Sequence, residues 1–153
     1  MAGLRSWEEG ELAKIAALAA QRTNLDIRVA IKTLFYAVTD QTSDIEASFD
    51  HAQRDIFIDL ISDLNDRNLL ILKAVQKSAE ILVRRIFDVY ERISDGAGVS
   101  AFSYPYYMNN LAYMQSLGLI VLAQTKVNRT YAYTAELLFN PDVLNTVYRM
   151  RFG

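Results

Sequence analysis

Tyr107-Met108-Asn109-Asn110-Leu111-Ala112-Tyr113-Met114-Gln115-Ser116-Leu117-Gly118-Leu119-Ile120, followed by Tyr131-Ala132-Tyr133-Thr134, is the stretch on which the reading of this chain turns. Tyr104-Pro105 opens a helix ahead of it, because a proline is tolerated in a first turn where its missing N–H has no intrahelical partner. Leu111, Met114 and Leu117 fall on the buried side of that helix. Gly118 can take the left-handed conformation that stops a helix. Leu119 to Gln124 and Thr130 to Ala135 then read as two strands around the polar turn Lys126-Val127-Asn128-Arg129.

A helix ending in Leu-Gly-Leu-Ile and leading into a hairpin whose second strand carries a Tyr-x-Leu-Thr-like sequence resembles the recognition helix and wing of winged-helix proteins. The likeness covers roughly a third of the chain by shared element order, with Ala132 in place of a usual larger residue. It implies a mainly α fold with a small β-hairpin, a helical front part and a winged-helix-like C-terminal module. It also implies a helix over Tyr106 to Ser116 in a DNA major groove and a Lys126/Arg129 turn at the backbone or minor groove. A second set, Phe57-Ile58-Asp59-Leu60 with Leu64-Asn65-Asp66-Arg67 and Leu72, resembles a family of bacterial and phage proteins with a helical front half and no established activity.

Working outward, Ser6-Trp7-Glu8-Glu9 fits a capping box for a first helix to about Gln21. Thr23 or Asn24 caps a second, on which Ile27, Ala30, Ile31, Leu34, Phe35 and Val38 share one face. Ser43-Asp44-Ile45-Glu46 opens a third to about Leu64, apolar at Phe49, Ile56, Phe57, Leu60, Ile61 and Leu64, and acidic at Asp55, Asp59 and Asp63. Leu72, Val75, Ala79, Leu82, Ile86, Val89 and Ile93 keep a three-to-four spacing that favours one long helix from about Arg67 to Ser94; a break near Ser78 would instead give the first two helices of a winged helix. The long seam is either a central core element or the contact of a homodimer. Gly96 and Gly98 mark a flexible loop, and Asn140-Pro141-Asp142 caps a last helix carrying Val143, Leu144, Val147 and Tyr148.

At 153 residues and 52% hydrophobic the chain can bury one substantial core, so a single domain is expected over 1–153, with an acidic helical part at 1–66 and a mildly basic part at 67–153. Up to Asp66 there are six Lys or Arg against twelve Asp or Glu, a balance of −6, and beyond it ten against six, a balance of +4. The C-terminal part suits an acidic partner and the N-terminal part a basic one. No cysteine means no disulfide, thiolate zinc site or cysteine nucleophile, in keeping with the cytoplasm. Charges recur too often for a signal peptide or membrane span.

No phosphate-binding glycine loop, nucleophile elbow or metal-ligand spacing occurs, so neither catalysis nor a cofactor is expected, and the lone His51, one turn before Asp55, is read as a surface residue rather than a metal ligand. If the partner is duplex DNA, Tyr107, Asn109, Asn110 and Tyr113 are the groove contacts and Lys126 and Arg129 the phosphate contacts. Against this stands the absence of Lys or Arg from the tyrosine helix. If the partner is a protein, Tyr104 and Tyr106, or the acidic face Asp55, Asp59 and Asp63, are the contact residues.

Overall fold

The structure, a computed structural model, describes residues 9–22, 26–40 and 44–153. Its elements run α1 (Glu9–Arg22), α2 (Ile27–Thr39), α3 (Ile45–Ser62), α4 (Asp66–Lys77), α5 (Val83–Gly96), α6 (Tyr104–Ser116), β1 (Ile120–Val127), β2 (Thr130–Leu137) and α7 (Pro141–Phe152). They form two compact units, Met1–Phe57 and Ile58–Gly153. The division expected after residue 66 falls inside the second unit. The expected caps at Ser6, Thr23, Asn24 and Ser43 lie outside the described residues.

In the first unit Asp26 caps α2, its carboxylate accepting from the Arg28 backbone N–H at 3.0 Å, and Asp44 caps α3 by accepting from the Ala47 N–H at 3.1 Å. Ile15, Leu18 and Ala19 of α1, Val29 and Ala37 of α2, and Ile45, Phe49 and Ala52 of α3 make the core. The expected inner face of α2 is corrected here. Val29, Thr33 and Ala37 point inward, Ala30 and Leu34 pack at the margin, and Ile27, Ile31, Phe35 and Val38 are exposed. The reason is that α2 is apolar around most of its circumference, so periodicity cannot choose the face. Small Ala37, and Thr33 with its hydroxyl bonded to the Val29 carbonyl at 2.7 Å, take the inward positions.

The second unit corrects the long helix. Residues from Arg67 to Ser94 form two helices, broken where the Ser78 hydroxyl donates to the Glu80 carbonyl at 2.6 Å and Ser78 itself turns to ψ 131°. A side chain that bonds its own local backbone competes with the helical ladder. The five-residue connector preserves the apolar phase, which is why the spacing ran on unbroken through it. No single helix carries the seam of a coiled-coil dimer. Instead the connector joins the hairpin: the Ala135 N–H bonds the Ile81 carbonyl at 2.9 Å, and Leu82 bridges to Thr134.

Helix α4 is the centre of this unit, with Leu69, Leu70, Ile71, Leu72 and Ala74 wholly buried. The C-terminal helix α7 packs on it through Val143, Leu144 and Val147. The joint also holds a buried ammonium: Lys73 donates to Gln76 Oε1 at 2.7 Å and Asn145 Oδ1 at 2.6 Å, and lies 4.9 Å from the centre of the Tyr148 ring. Burial pulls its pKa below that of an ordinary lysine. Arg151 of α7 donates to the Ser62 and Leu64 carbonyls, so the C-terminal end of α3 is capped by a charged side chain.

Helix α6 ends as expected. Gly118 sits at φ +75°, and the Leu119 N–H reaches back to the Met114 carbonyl at 3.0 Å, the bond that closes a glycine-terminated helix. A Cβ at Gly118 would meet nothing within 4 Å, so Gly118→Ala should cost only its conformational penalty, about 1–2 kcal/mol, read as a lowered urea midpoint with unchanged slope.

Candidate nucleic-acid interface

The exposed side of α6 follows from its inward side. Tyr107, Leu111 and Met114 are fully buried, which at helical spacing turns Tyr106, Asn109, Asn110 and Tyr113 outward as one stripe. Tyr106 is 65% and Tyr113 50% exposed, Asn109 is exposed and Asn110 half-buried. No charged residue occurs in α6. Two carboxamides of this region are occupied locally: Asn110 Nδ2 donates to the Tyr106 carbonyl at 2.8 Å, and Gln115 Oε1 accepts from the Leu122 N–H at 2.8 Å, fastening β1 to the helix.

Tyr107, expected among the groove contacts, is a core residue. Its ring packs against Phe87, Tyr90 and Tyr104 at centroid distances of 5.0, 5.6 and 5.9 Å, and its hydroxyl donates to the Val83 carbonyl at 3.2 Å. Burial pushes its pKa far above that of free tyrosine, so it stays a neutral donor. Tyr104 and Tyr107, one turn apart, share a side of α6 and both pack on Phe87, but only Tyr107 is fully buried. Tyr104 is half-buried and Tyr106 exposed.

The hairpin pairs Ile120 with Leu137 at its base and Val127 with Thr130 at its tip. Its strands are longer than expected and its turn shorter, with Asn128 at φ 48° and Arg129 at φ 67°. Positive φ at both central residues is the turn whose twist matches a right-handed hairpin. Asparagine accepts that conformation readily, whereas arginine does so at a cost. Along one face the cross-strand partners go from Ile120/Leu137 and Leu122/Ala135 at the base to Gln124/Tyr133 and Lys126/Tyr131 toward the tip. That face begins as core and ends in solvent. Lys126 Nζ lies 5.0 Å from the Tyr131 ring centre, and neither Lys126 nor Arg129 pairs with a carboxylate among the described residues.

Opposite the outer part of this face stands the start of α5. Between them is a cleft of roughly 610 Å³ lined by Val83, Arg84, Arg85, Tyr104, Tyr131 and Tyr133, among others. Arg84 lies 4.9 Å from the Tyr104 ring centre and 5.9 Å from that of Phe87. Arg85 is engaged otherwise, facing Glu80 and Asp88 at 3.8 Å each. The Arg84/Tyr104 pair was hidden in the sequence, because the Arg84-Arg85 doublet appeared to lie mid-way along a continuous helix.

Of the acidic candidates, Asp55 is engaged within the first unit. Asp55, in the first unit, accepts from the Tyr36 hydroxyl, with Lys32 Nζ at 3.5 Å and His51 Nε2 at 3.9 Å. The Tyr36 hydrogen bond, with Lys32 and His51 nearby, holds its pKa below the usual carboxylate range. Tyr36 also stacks on the His51 ring at 4.2 Å. Asp55 therefore serves the packing of α2 on α3, while Asp59 and Asp63 are exposed residues of the second unit. Among the described residues no group of three His, Asp or Glu side chains converges as a metal site would require, and no helix is long and apolar enough to cross a membrane.

No family model matches the chain, and no curated protein matches it. Among solved structures it is similar to the Orc1 protein of Aeropyrum pernix, determined in complex with DNA, with a TM-score of 0.79 and 16% identity over 95% of this chain and 42% of that one. Cdc6p of Pyrobaculum aerophilum aligns with a TM-score of 0.46 and 14% identity over 94% of this chain and 42% of that protein. The chain thus spans less than half the length of these structures. The likeness to the Aeropyrum protein is one of fold: a helical front part followed by a winged-helix-like module of α4, α5, α6 and the β1–β2 hairpin.

Proposed function

We propose that this chain is a non-catalytic, regulatory nucleic-acid-binding protein of winged-helix type that docks on duplex DNA. The observation that carries the reading is the hairpin tip, where Lys126 and Arg129 are exposed with no carboxylate partner among the described residues, together with the uncharged, exposed stripe of α6. Cations on a projecting ribbon suit phosphate, and a neutral stripe bearing Asn109 and two tyrosine hydroxyls suits base edges and sugars. That the Aeropyrum Orc1 structure contains DNA supports the same assignment.

The test is binding of the purified chain to a mixed duplex pool at about 50 mM and about 200 mM salt. Binding that weakens with salt is the expected result. No binding even at the lower concentration would overturn the reading and move the chain to a protein-interaction role, for which the exposed Ile27, Ile31 and Phe35 of α2 are the observation in favour.

A further inference from the structure

The cleft between α5 and the hairpin has a cation–aromatic pair on one wall, Arg84 over Tyr104, and two hairpin tyrosines, Tyr131 and Tyr133, in its lining. We propose that this cleft is a phosphodiester-binding site, in which the backbone of one nucleic-acid strand lies against Arg84 while α6 meets the groove. The inference rests on the duplex-docking role proposed above and adds a second, helix-borne wall to the contact.

Three features converge on this ligand. First, Arg84 has no carboxylate partner among the described residues, whereas its neighbour Arg85 faces two; its five N–H donors are open to an anion. Secondly, the Arg84 guanidinium lies over the Tyr104 ring, 4.9 Å from its centre, a contact that uses none of those donors and leaves them for a phosphate. Thirdly, beside Arg84 the lining carries apolar and aromatic side chains, Val83, Tyr131 and Tyr133, which suits sugar and bridging atoms better than a free, fully hydrated anion. The site also accounts for a duplex-binding helix that has no charge of its own, since neutralisation comes from the elements on either side of it.

Tyr104 is on this account a positioning residue. Its ring orients Arg84, and its hydroxyl is dispensable. The experiment measures affinity for one duplex and for a scrambled duplex of equal length across a salt series, using the intact chain and the variants Arg84→Ala, Tyr104→Ala, Tyr104→Phe and the double Arg84→Ala/Tyr104→Ala, each checked for a native circular-dichroism spectrum. Arg84→Ala is expected to weaken both duplexes alike, by about five- to tenfold at low salt, and to flatten the logarithmic salt slope by about 0.9. Tyr104→Phe should match the parent, Tyr104→Ala should fall part of the way to Arg84→Ala, and the double variant should be no weaker than Arg84→Ala alone. Parental affinity and slope in Arg84→Ala, with the parent still binding, would overturn the cleft and leave duplex docking standing. Failure of the parent to bind at low salt would overturn both. A single strand of the same length, if it bound more tightly than the duplex and lost that advantage in Arg84→Ala, would keep the phosphodiester chemistry and assign its source to unpaired strands.

Discussion

Replacing Lys126 and Arg129 together with alanine should lower duplex affinity by about a hundredfold at low salt and flatten the logarithmic salt slope by about 1.8, because each phosphate contact releases close to one counterion. Fold integrity is not at risk: both side chains are exposed, and neither makes an ion pair among the described residues. The variant Arg129→Gly separates charge from conformation. Arg129 sits at φ 67°, where glycine is unstrained, so this change should leave the melting temperature equal or raised by an amount worth about 0.5–1 kcal/mol while weakening binding as Arg129→Ala does. A titration of the double variant that overlays the parent at every salt concentration would remove the hairpin tip from the interface.

The second large effect concerns the residue that changed places. Tyr107→Ala should destabilise the Ile58–Gly153 unit by about 3–5 kcal/mol, since it empties a site shared by Phe87, Tyr90 and Tyr104 and leaves the Val83 carbonyl without its donor. Against a typical domain stability of about 5–15 kcal/mol this is a large fraction. Tyr107→Phe keeps the ring and should cost only about 1 kcal/mol. Equilibrium urea unfolding followed by circular dichroism measures both. The exposed Tyr113→Ala should stay within about 0.5 kcal/mol of the parent. Unchanged DNA affinity in Tyr107→Phe, against reduced affinity in Tyr113→Ala, would place the groove contact on the outer stripe, and equal losses would contradict the burial of Tyr107.

Much of the second unit was legible because its signals are local and mutually consistent. Asn65 and Asn140 cap α4 and α7, Pro105 opens α6, Gly118 closes it, and alternating residues follow on both sides of a polar turn. What was illegible needed tertiary information. The α4–α5 break is set by one serine hydroxyl and by pairing of Ile81 and Leu82 with a strand more than fifty residues later. Both helices keep the same apolar phase, so periodicity alone saw one. The facing of α2 was lost for a related reason, as a helix apolar on most sides has no unique inner stripe. Of the candidate interface, the hairpin cations and the outward Tyr106, Asn109 and Tyr113 follow from helix and strand phase, but Arg84 meets Tyr104 only across a loop that folds back on the Tyr90 hydroxyl, which accepts from the Phe102 N–H at 2.9 Å.

An α6 without charge has a consequence for how this interface can be altered. If cations lie only on the hairpin and on α5, strength of attachment and choice of sequence are governed by different elements. Exchanging Tyr106, Asn109 or Tyr113 would retune preference among sequences while the ionic-strength response stayed constant, and exchanging Arg84, Lys126 or Arg129 would do the reverse. In the proposed duplex-docking role the two properties would form independent dials on one small module, so a new target could be selected on α6 without first rebuilding the grip.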